Sequence, residues 1–335
     1  MQAVILAAGK STRTYPLTLT KPKPLLKVAN KTLLEHNLEN LKDFVDEVII
    51  VVGYKKYLIK KRIGNKYKNL KIKYAEQKQQ LGTAHAVSVA EPYIKDRFVL
   101  LMGDDIYSKQ DIKNCIKHRY SILTARTENQ SNASGLTRSQ LSNFGVVIEK
   151  NGILIDFAEK PKKFVSDLAS TAFYVLDKKI FYYAKQISKS ERNEFELPDA
   201  VKLLSKDEKI HCVKSKKWLP VANAYDLLRV DRILRGNKNF IGKNSKIYKN
   251  VTNSSIGDNC TIKGAVKNSI IMDKSIIDKN SSVENSVVGE NAYVSGKILN
   301  SVVADNVKLK NVIAKRCKIW PNKKISNKTI EHDVK

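Results

Sequence analysis

From Ile241 to Ile325 apolar residues return at intervals of six: Ile241 and Ile247, Ile256 and Ile262, Ile271, Ile277 and Val283, Val288 and Val294, Val303 and Leu309, then Ile313, Ile319 and Ile325. A hairpin-built β domain would alternate with period two between turns. The six-residue period instead predicts a parallel β-helix, in which one apolar side chain per short face points inward. The stretches SSIGDNCTI, SIIDKNSSV, SVVGENAYV and SVVADNVKL repeat this plan, with a pair of turn residues after each inward aliphatic.

Before about residue 235 the texture is different. QAVILAA (2–8) reads as a buried strand, residues 33–41 show helical spacing, and EVIIVVGY (47–54) is a second continuous apolar run. LKIKYAEQ then reads as a strand, GTAHAVSVAEPYI as a helix and RFVLLMGDD as a strand ending in two acids. Continuous apolar runs alternating with helical segments predict an α/β domain with a parallel sheet and helices on both faces. Ligands of such sheets bind beyond the carboxyl ends of the strands, where the loops after LAA, VVG and LMG are expected to converge. The 335 residues exceed the roughly 150 of one ordinary domain, and the change of texture divides them into 1–234 and 235–335.

The net charge of +28 is spread over lysines along the whole chain, without an arginine-rich block interleaved with aromatics. It therefore reads as solvated surface, and a nucleic-acid partner is not expected. Cys115, Cys212, Cys260 and Cys317 form no Cys-x-x-Cys pair, which argues against a zinc site or a disulfide framework and suits a reducing cytoplasm. The apolar start MQAVILAAGK breaks at Gly9 and has no basic segment before it, so neither a signal peptide nor a membrane span is expected.

Residues 7–24, AAGKSTRTYPLTLTKPKP, contain a GKST that suggests a P-loop. A P-loop needs a glycine five residues before the second one, and that position is Val4, inside the first strand. What remains is a small-residue turn, Ala7-Ala8-Gly9, through which backbone N–H groups can approach phosphate oxygens. Ser11 and Thr12 add hydroxyl donors and Arg13 a planar fork. Ten residues on, Lys23 stands between Pro22 and Pro24, in a stretch restricted to extended backbone that can project a point charge.

The stretch LAAGKSTRTYPLTLTKPKPLLKV resembles the motif of the sugar-phosphate nucleotidylyltransferases, L-A-A-G-x-G-T-R-L-x-P-x-T-x-x-x-P-K-x-x-x-P-V. Ser11 replaces the second glycine, and Lys27, after Leu26, replaces the later proline. The C-terminal repeats are similar to the left-handed β-helix that many of these enzymes carry, so the resemblance spans nearly the whole chain. It implies an α/β, Rossmann-like nucleotidyltransferase domain with a mixed, mostly parallel sheet that exchanges a nucleoside triphosphate and a sugar 1-phosphate for a nucleoside diphosphate sugar and pyrophosphate. Such a reaction is an in-line attack on phosphorus that relies on positioning and charge neutralisation.

Carried over to this sequence, the resemblance sets Leu6, Ala7, Ala8 and Gly9 against the nucleotide, Arg13 on the departing pyrophosphate and Lys23 on the reacting α-phosphate. AEQKQQLGTAHA is similar to the base-reading segment, with Gln77 on the base edge, Gly82 supplying a backbone contact, Thr83 opening the helix and Gln80 assisting. A carboxamide that both donates and accepts suits uracil or thymine, which favours UTP or dTTP. Asp104 falls at the position of a Mg²⁺-binding aspartate, and WLPVANAYDLLRVDRIL makes Asn223 the second metal ligand. FGVVIEKNGILIDFAEKP assigns Gly145 and Glu159 to sugar hydroxyls and Lys160 to the sugar phosphate. The usual N-x-G appears as Ser170-Thr171-Ala172, and Glu196 and Asp199 of FELPDAV frame the same pocket.

In bifunctional members of the family the β-helix is an acetyltransferase with a histidine base on a coil, but the only histidine after residue 235 is His332, at the tail. An assembly or regulatory role is expected instead, with a homo-oligomer as the form such β-helices commonly take. The ending IWPNKKI resembles that of glucose- and mannose-1-phosphate nucleotidyltransferases, which leans the substrate toward a plain hexose phosphate, with N-acetylglucosamine 1-phosphate next. Two other readings compete: a non-catalytic regulatory subunit of the same two-part plan, and a nucleic-acid binder. Retention of Arg13, Lys23 and Asp104 favours the enzyme.

Overall fold

The structure is a computed structural model that describes residues 1–127, 141, 144–161 and 163–335. By contact the chain forms two compact units, one of Met1–Gly9 with Leu34–Pro220 and the other of Lys10–Leu33 with Val221–Lys335.

The first unit is built on a ten-stranded sheet. In chain order its strands are β1 (Gln2–Ala7), β2 (Glu47–Val52), β3 (Lys66–Tyr67), β4 (Leu70–Glu76), β5 (Phe98–Met102), β6 (Ser121–Arg126), β7 (Gly145–Lys150), β8 (Ile153–Glu159), β9 (Leu168–Leu176) and β10 (His211–Lys214). They lie in the order β7-β8-β10-β6-β9-β5-β1-β2-β4-β3. The run β5-β1-β2-β4 is parallel. All six residues of β1 and of β2 are buried, as expected for strands covered on both faces.

The other half is largely antiparallel, with β6 and β10 its parallel pair. A local reason is the hairpin between β7 and β8. Its turn is Asn151-Gly152, with φ of 52° and 75°, and two consecutive positive φ values match the twist of an antiparallel pair. Helices α1 (Leu33–Leu41), α2 (Lys56–Ile63), α3 (Thr83–Ser88), α4 (Lys109–Cys115), α5 (Lys179–Ala184) and α6 (Leu197–Asp207) accompany the sheet. Val4, Leu6, Ile49, Val51, Leu100, Val87, Phe181 and Leu204 share one core.

The second unit joins the strap 10–33 and helix α7 (Asp226–Arg235) to a series of short parallel strands. Phe240 lies opposite Ser255, a step of 15 residues; Ile270 lies opposite Val287, a step of 17; Val302 lies opposite Lys318, a step of 16. Each coil therefore adds one strand to each growing sheet.

Most of the periodic residues do point inward: Ile256, Ile262, Ile271, Ile277, Val283, Val288, Val294, Val303, Leu309 and Ile319 belong to one buried core. Ile313 corrects the expectation. It is 37% exposed, and its neighbours Val312 and Ala314 are buried instead, because the register shifts between Val294 and Gly296 where this strand pairs. Ile241 and Ile247 are also exposed; they lie in the first coil, whose strands pair on one side. Val266 and Ile298 fill a third inward position that the six-residue count skips.

The corners are polar and regular. Asn259, Lys274, Asn291, Asn306 and Asn322 all take positive φ, a conformation asparagine tolerates better than most residues. Buried Ser254, Ser269, Ser286 and Ser301 form a column in which each hydroxyl accepts the N–H one coil later, at 3.0 to 3.2 Å, ending at Cys317. Buried backbone donors at the turns are thereby satisfied without water.

Candidate active site

The carboxyl ends of β1, β2, β4 and β5 meet closely. Tyr54 N donates to Ala8 O at 3.0 Å and Gly103 N to Leu6 O at 2.9 Å. A side chain on Gly53 would stand 2.9 Å from Ala8 O and 3.1 Å from Gln77 O, and one on Gly103 3.1 Å from Leu6 O. Glycine is required there because backbone approaches backbone. The loops after LAA, VVG and LMG converge as expected. Leu6, Ala7 and Ala8 are buried while Gly9 and Lys10 are exposed, and half-buried Asp104 follows Gly103 directly.

Two glutamines brace this end of the sheet. Gln80 Nε2 donates to Ala8 O at 2.8 Å. Gln77 is buried, and its amide nitrogen donates to Gly82 O at 3.1 Å with His85 Nδ1 also at 3.1 Å. Gly82 has φ of 107°, and a side chain there would come 2.6 Å from Phe195 N. Phe195 N donates to Leu81 O and Ala84 N to Phe195 O. Thr83 Oγ1 accepts from Leu197 N at 2.9 Å, satisfying a free donor in the first turn of α6. All four residues thus support the chain around them as well as being expected near a base.

A charged cluster forms at the end of β8. Gly145 pairs with Glu159 in the sheet, and a side chain on it would sit 2.6 Å from the Phe157 ring and 2.9 Å from Glu159 Oε2. Arg192 Nη2 donates to Glu159 Oε1 at 3.1 Å and to buried Glu196 at 2.5 Å. Lys160, at φ 46°, has its ammonium 3.7 Å from Glu159 Oε1. Burial pushes the Glu159 carboxyl above its ordinary range, with Lys160 and Arg192 opposing it, and burial together with Glu196 raises Asp199 as well. Arg192, which bridges the two acids, escaped the sequence reading because it lies outside every motif, in the loop before α6, where no helical spacing links it to Glu196.

Ser170 and Thr171 lie in a bulge of β9, where the pairing with β6 breaks between Ser170 and Tyr174. Ser170 Oγ lies 3.3 Å from Tyr174 OH and accepts from Ala172 N at 3.1 Å. Thr171 Oγ1 donates to Leu123 O, and Thr171 O accepts from Tyr107 OH at 2.7 Å. Ala172 takes φ of 55° and Ser11 φ of 53°, so both positions where the related motif carries glycine are left-handed here.

In the strap, Ser11 O accepts from Thr18 Oγ1 at 2.9 Å and from Thr14 N. Thr12 and Arg13 are exposed, whereas Lys23 is buried and opens a short 3-10 turn, Lys23–Leu25. Asn223 works as a helix cap. Its Oδ1 accepts from Tyr225 N at 2.8 Å and Asp226 N at 3.4 Å, while Asp226 Oδ2 accepts from Ala222 N and Asn223 N. Both lone pairs of the Asn223 oxygen are engaged. Among the described residues no three His, Cys, Asp or Glu side chains gather as a metal-binding group; a phosphate-bound Mg²⁺ needs only one or two protein oxygens, which Asp104 alone can begin to supply.

Both parts of the chain are similar to known families. The family described as nucleotidyl transferase matches residues 2–236, and the GMPPB C-terminal domain matches residues 230–334. The bifunctional protein GlmU of Methanocaldococcus jannaschii is 37% identical over 238 residues, 70% of this chain and 54% of its own length; this chain thus spans about half of that relative. A protein named UTP–glucose-1-phosphate uridylyltransferase AglF, from Haloferax volcanii, is 33% identical over 225 residues, 65% of this chain and 89% of its own. A solved UDP-glucose pyrophosphorylase complexed with UDP-glucose shares the fold, with TM-score 0.59 at 22% identity over 70% of this chain and 97% of its own. The chain belongs to the nucleotidyl transferase family.

Proposed function

We propose that this chain joins a nucleoside triphosphate, UTP or dTTP, to a hexose 1-phosphate, glucose 1-phosphate ahead of N-acetylglucosamine 1-phosphate, and releases pyrophosphate. The observation that carries this reading is the convergence of Gly53 on Ala8 and Gln77, and of Gly103 on Leu6 and Ala7, with Asp104 next in the chain, at the end of the strand that bears the family motif. The name of the Haloferax relative favours UTP and glucose 1-phosphate as the first pair to try.

In this reading an oxygen of the sugar phosphate attacks the α-phosphorus in line, the bond from the α-phosphorus to the bridging oxygen breaks, and pyrophosphate leaves. Lys23 meets the charge developing on the α-phosphate and Arg13 holds the departing pyrophosphate in a fork. Backbone N–H groups of residues 7–9 and the hydroxyls of Ser11 and Thr12 take the remaining phosphate oxygens. Gln77, Gln80, Gly82 and Thr83 face the base, and Gly145, Glu159, Lys160, Ser170 and Thr171 face the sugar phosphate. Asp104 would hold Mg²⁺, which when bound would supply charge neutralisation to the phosphates. Asn223 joins it only by surrendering its cap, so Asp104 is the ligand on which the proposal depends.

We also assign residues 1–234 to the catalytic part and 235–335 to a left-handed β-helix through which copies assemble. Four free, buried cysteines suit a reducing cytoplasm, and among the described residues no helix is long and apolar enough to cross a membrane. The test is pyrophosphate release with Mg²⁺ from a panel of four triphosphates against glucose, N-acetylglucosamine, galactose and mannose 1-phosphates. Lys23→Ala and Asp104→Ala should each remove most turnover and leave the fold intact. Silence from every pair would overturn the enzyme in favour of a non-catalytic subunit.

A further inference from the structure

Lys23 is flanked by two other buried lysines, Lys21 and Lys27, and acids from one corner of the C-terminal coils hold both. Lys21 Nζ lies 2.5 Å from Glu290 Oε1 and 3.0 Å from Asp305 Oδ2. Thr20 Oγ1 donates to the same Asp305 oxygen at 2.6 Å. Lys27 Nζ donates to both oxygens of Asp273, at 2.8 and 2.6 Å. Asn30 Nδ2 adds a bond to Ile256 O at 2.7 Å, and Ala29 N donates to Asp231 Oδ1 at 2.8 Å. The strap is therefore tied on both sides of Lys23.

The acids repeat with the coils. Asp273, Glu290 and Asp305 each precede a left-handed corner residue, Lys274, Asn291 and Asn306. Two of them serve the coil as well: Asp273 Oδ1 accepts from Asp258 N at 2.9 Å in addition to Lys27, and Asp305 Oδ1 accepts from Glu290 N at 2.7 Å while its Oδ2 meets Lys21. One function closes the corner of the coil and the other captures a lysine. Buried ammonium–carboxylate pairs add little net stability, because desolvation offsets their attraction, but they admit few geometries. Position 27, where the related motif has proline, carries in this chain a side chain that can make such a tie.

We propose that Asp273 and Asp305 are positioning residues for nucleotidyl transfer. They fix Lys21 and Lys27, the strap between them cannot shift, and Lys23 keeps the orientation in which it meets the α-phosphate. The C-terminal coils thereby take part in the reaction in addition to any role in assembly. The proposal rests on the assignment of Lys23 to the α-phosphate.

The test is a double variant, Asp273→Asn with Asp305→Asn. Asparagine keeps the Oδ1 acceptor that closes each corner and removes the carboxylate charge, so that Lys27 is left with a single neutral acceptor at position 273. The expected result is a fall in kcat of about 10- to 100-fold, the scale of a small misplacement of a reacting group. KM for the triphosphate should stay within about threefold, as when an interaction confined to the transition state is lost. Lys21→Met with Lys27→Met, placed in the strap and not in the coils, should reproduce the loss, and Lys21→Arg with Lys27→Arg should recover most of it. Amide exchange at Leu25 and Leu26, whose N–H groups close the turn onto Pro22 and Lys23, should quicken in both loss variants. A kcat within about twofold of wild type in the Asn and Met pairs, with normal melting, would overturn the proposal. A wild-type protein inactive with every substrate pair would remove the proposed function and this role with it, and unchanged exchange would then show that the ties do not hold the strap either.

Discussion

The side-chain amide of Gln80 donates to the carbonyl oxygen of Ala8 at 2.8 Å, which ties the loop after β4 to the first turn after β1. Gln80 itself is exposed, so the bond is one that a nucleotide could reach and compete with.

Replacing Gln80 by Glu keeps the length, removes the donor and sets a carboxylate against a carbonyl. The expected loss is about 1 kcal/mol, the usual net value of one hydrogen bond, read as a lower melting temperature. Triphosphate affinity measured by calorimetry should fall alongside it. Unchanged melting and unchanged affinity would mean that the bond braces nothing.

Ala172 and Ser11 each hold a left-handed conformation, at φ 55° and 53°, that glycine adopts without penalty. Ala172→Gly should stabilise the protein by about 1 kcal/mol, the strain of an L-residue in that region less the extra freedom glycine has when unfolded. Ser11→Gly should act in the same direction, because the contacts of Ser11 from Thr14 and Thr18 end on its backbone oxygen. Denaturant titration checks both, and a loss of stability in Ala172→Gly would show that the bulge in β9 is not strained.

These two residues also mark how far the sequence could be read. A motif match identifies the positions where glycine is usual, but only backbone angles reveal that this chain keeps the conformation and changes the residue. The six-residue period located ten inward side chains of the coils and missed Val266 and Ile298, because the chain reaches its third face through a shorter corner. It chose Ile313 over Val312 for the same reason: a one-residue register shift reverses which side chain faces in. The ties of Lys21 and Lys27 to Asp305 and Asp273 join residues more than 240 positions apart, and no local pattern encodes them. Conversely, the convergence of the LAA, VVG and LMG loops was legible, since continuous apolar strands joined by helices bring their carboxyl ends together.

Gly82→Ala is expected to be severe. The added methyl would stand 2.6 Å from Phe195 N at a residue held at φ 107°, so the loop must move and the bonds of Phe195 to Leu81 and Ala84 must break. A loss of about 2 to 4 kcal/mol follows from a side chain forced into an incompatible backbone position beside packed atoms. Urea unfolding measures it, and a change under about 0.5 kcal/mol, the range of a neutral surface substitution, would show that the loop yields freely.

Glu159 gives a pH prediction of definite sign. Burial raises its carboxyl above the ordinary 4.5 despite Lys160 and Arg192, so the folded protein holds this proton more tightly than the unfolded chain does. That contribution favours the fold below the unfolded value and is lost as pH climbs through the raised one. Glu159→Gln keeps an acceptor for Arg192 and removes the ionisation. The melting temperature of Glu159→Gln minus that of wild type should therefore become more positive between about pH 4 and about pH 7. Asp199, raised by burial and by Glu196, and Glu39, held down at about 2 by its bonds to Lys42 and Lys68, are present in both proteins and largely cancel in the difference. A flat difference would mean that Arg192 and Lys160 fully offset the burial, and a difference that falls with pH would mean that the Glu159 carboxylate is stabilised by the fold.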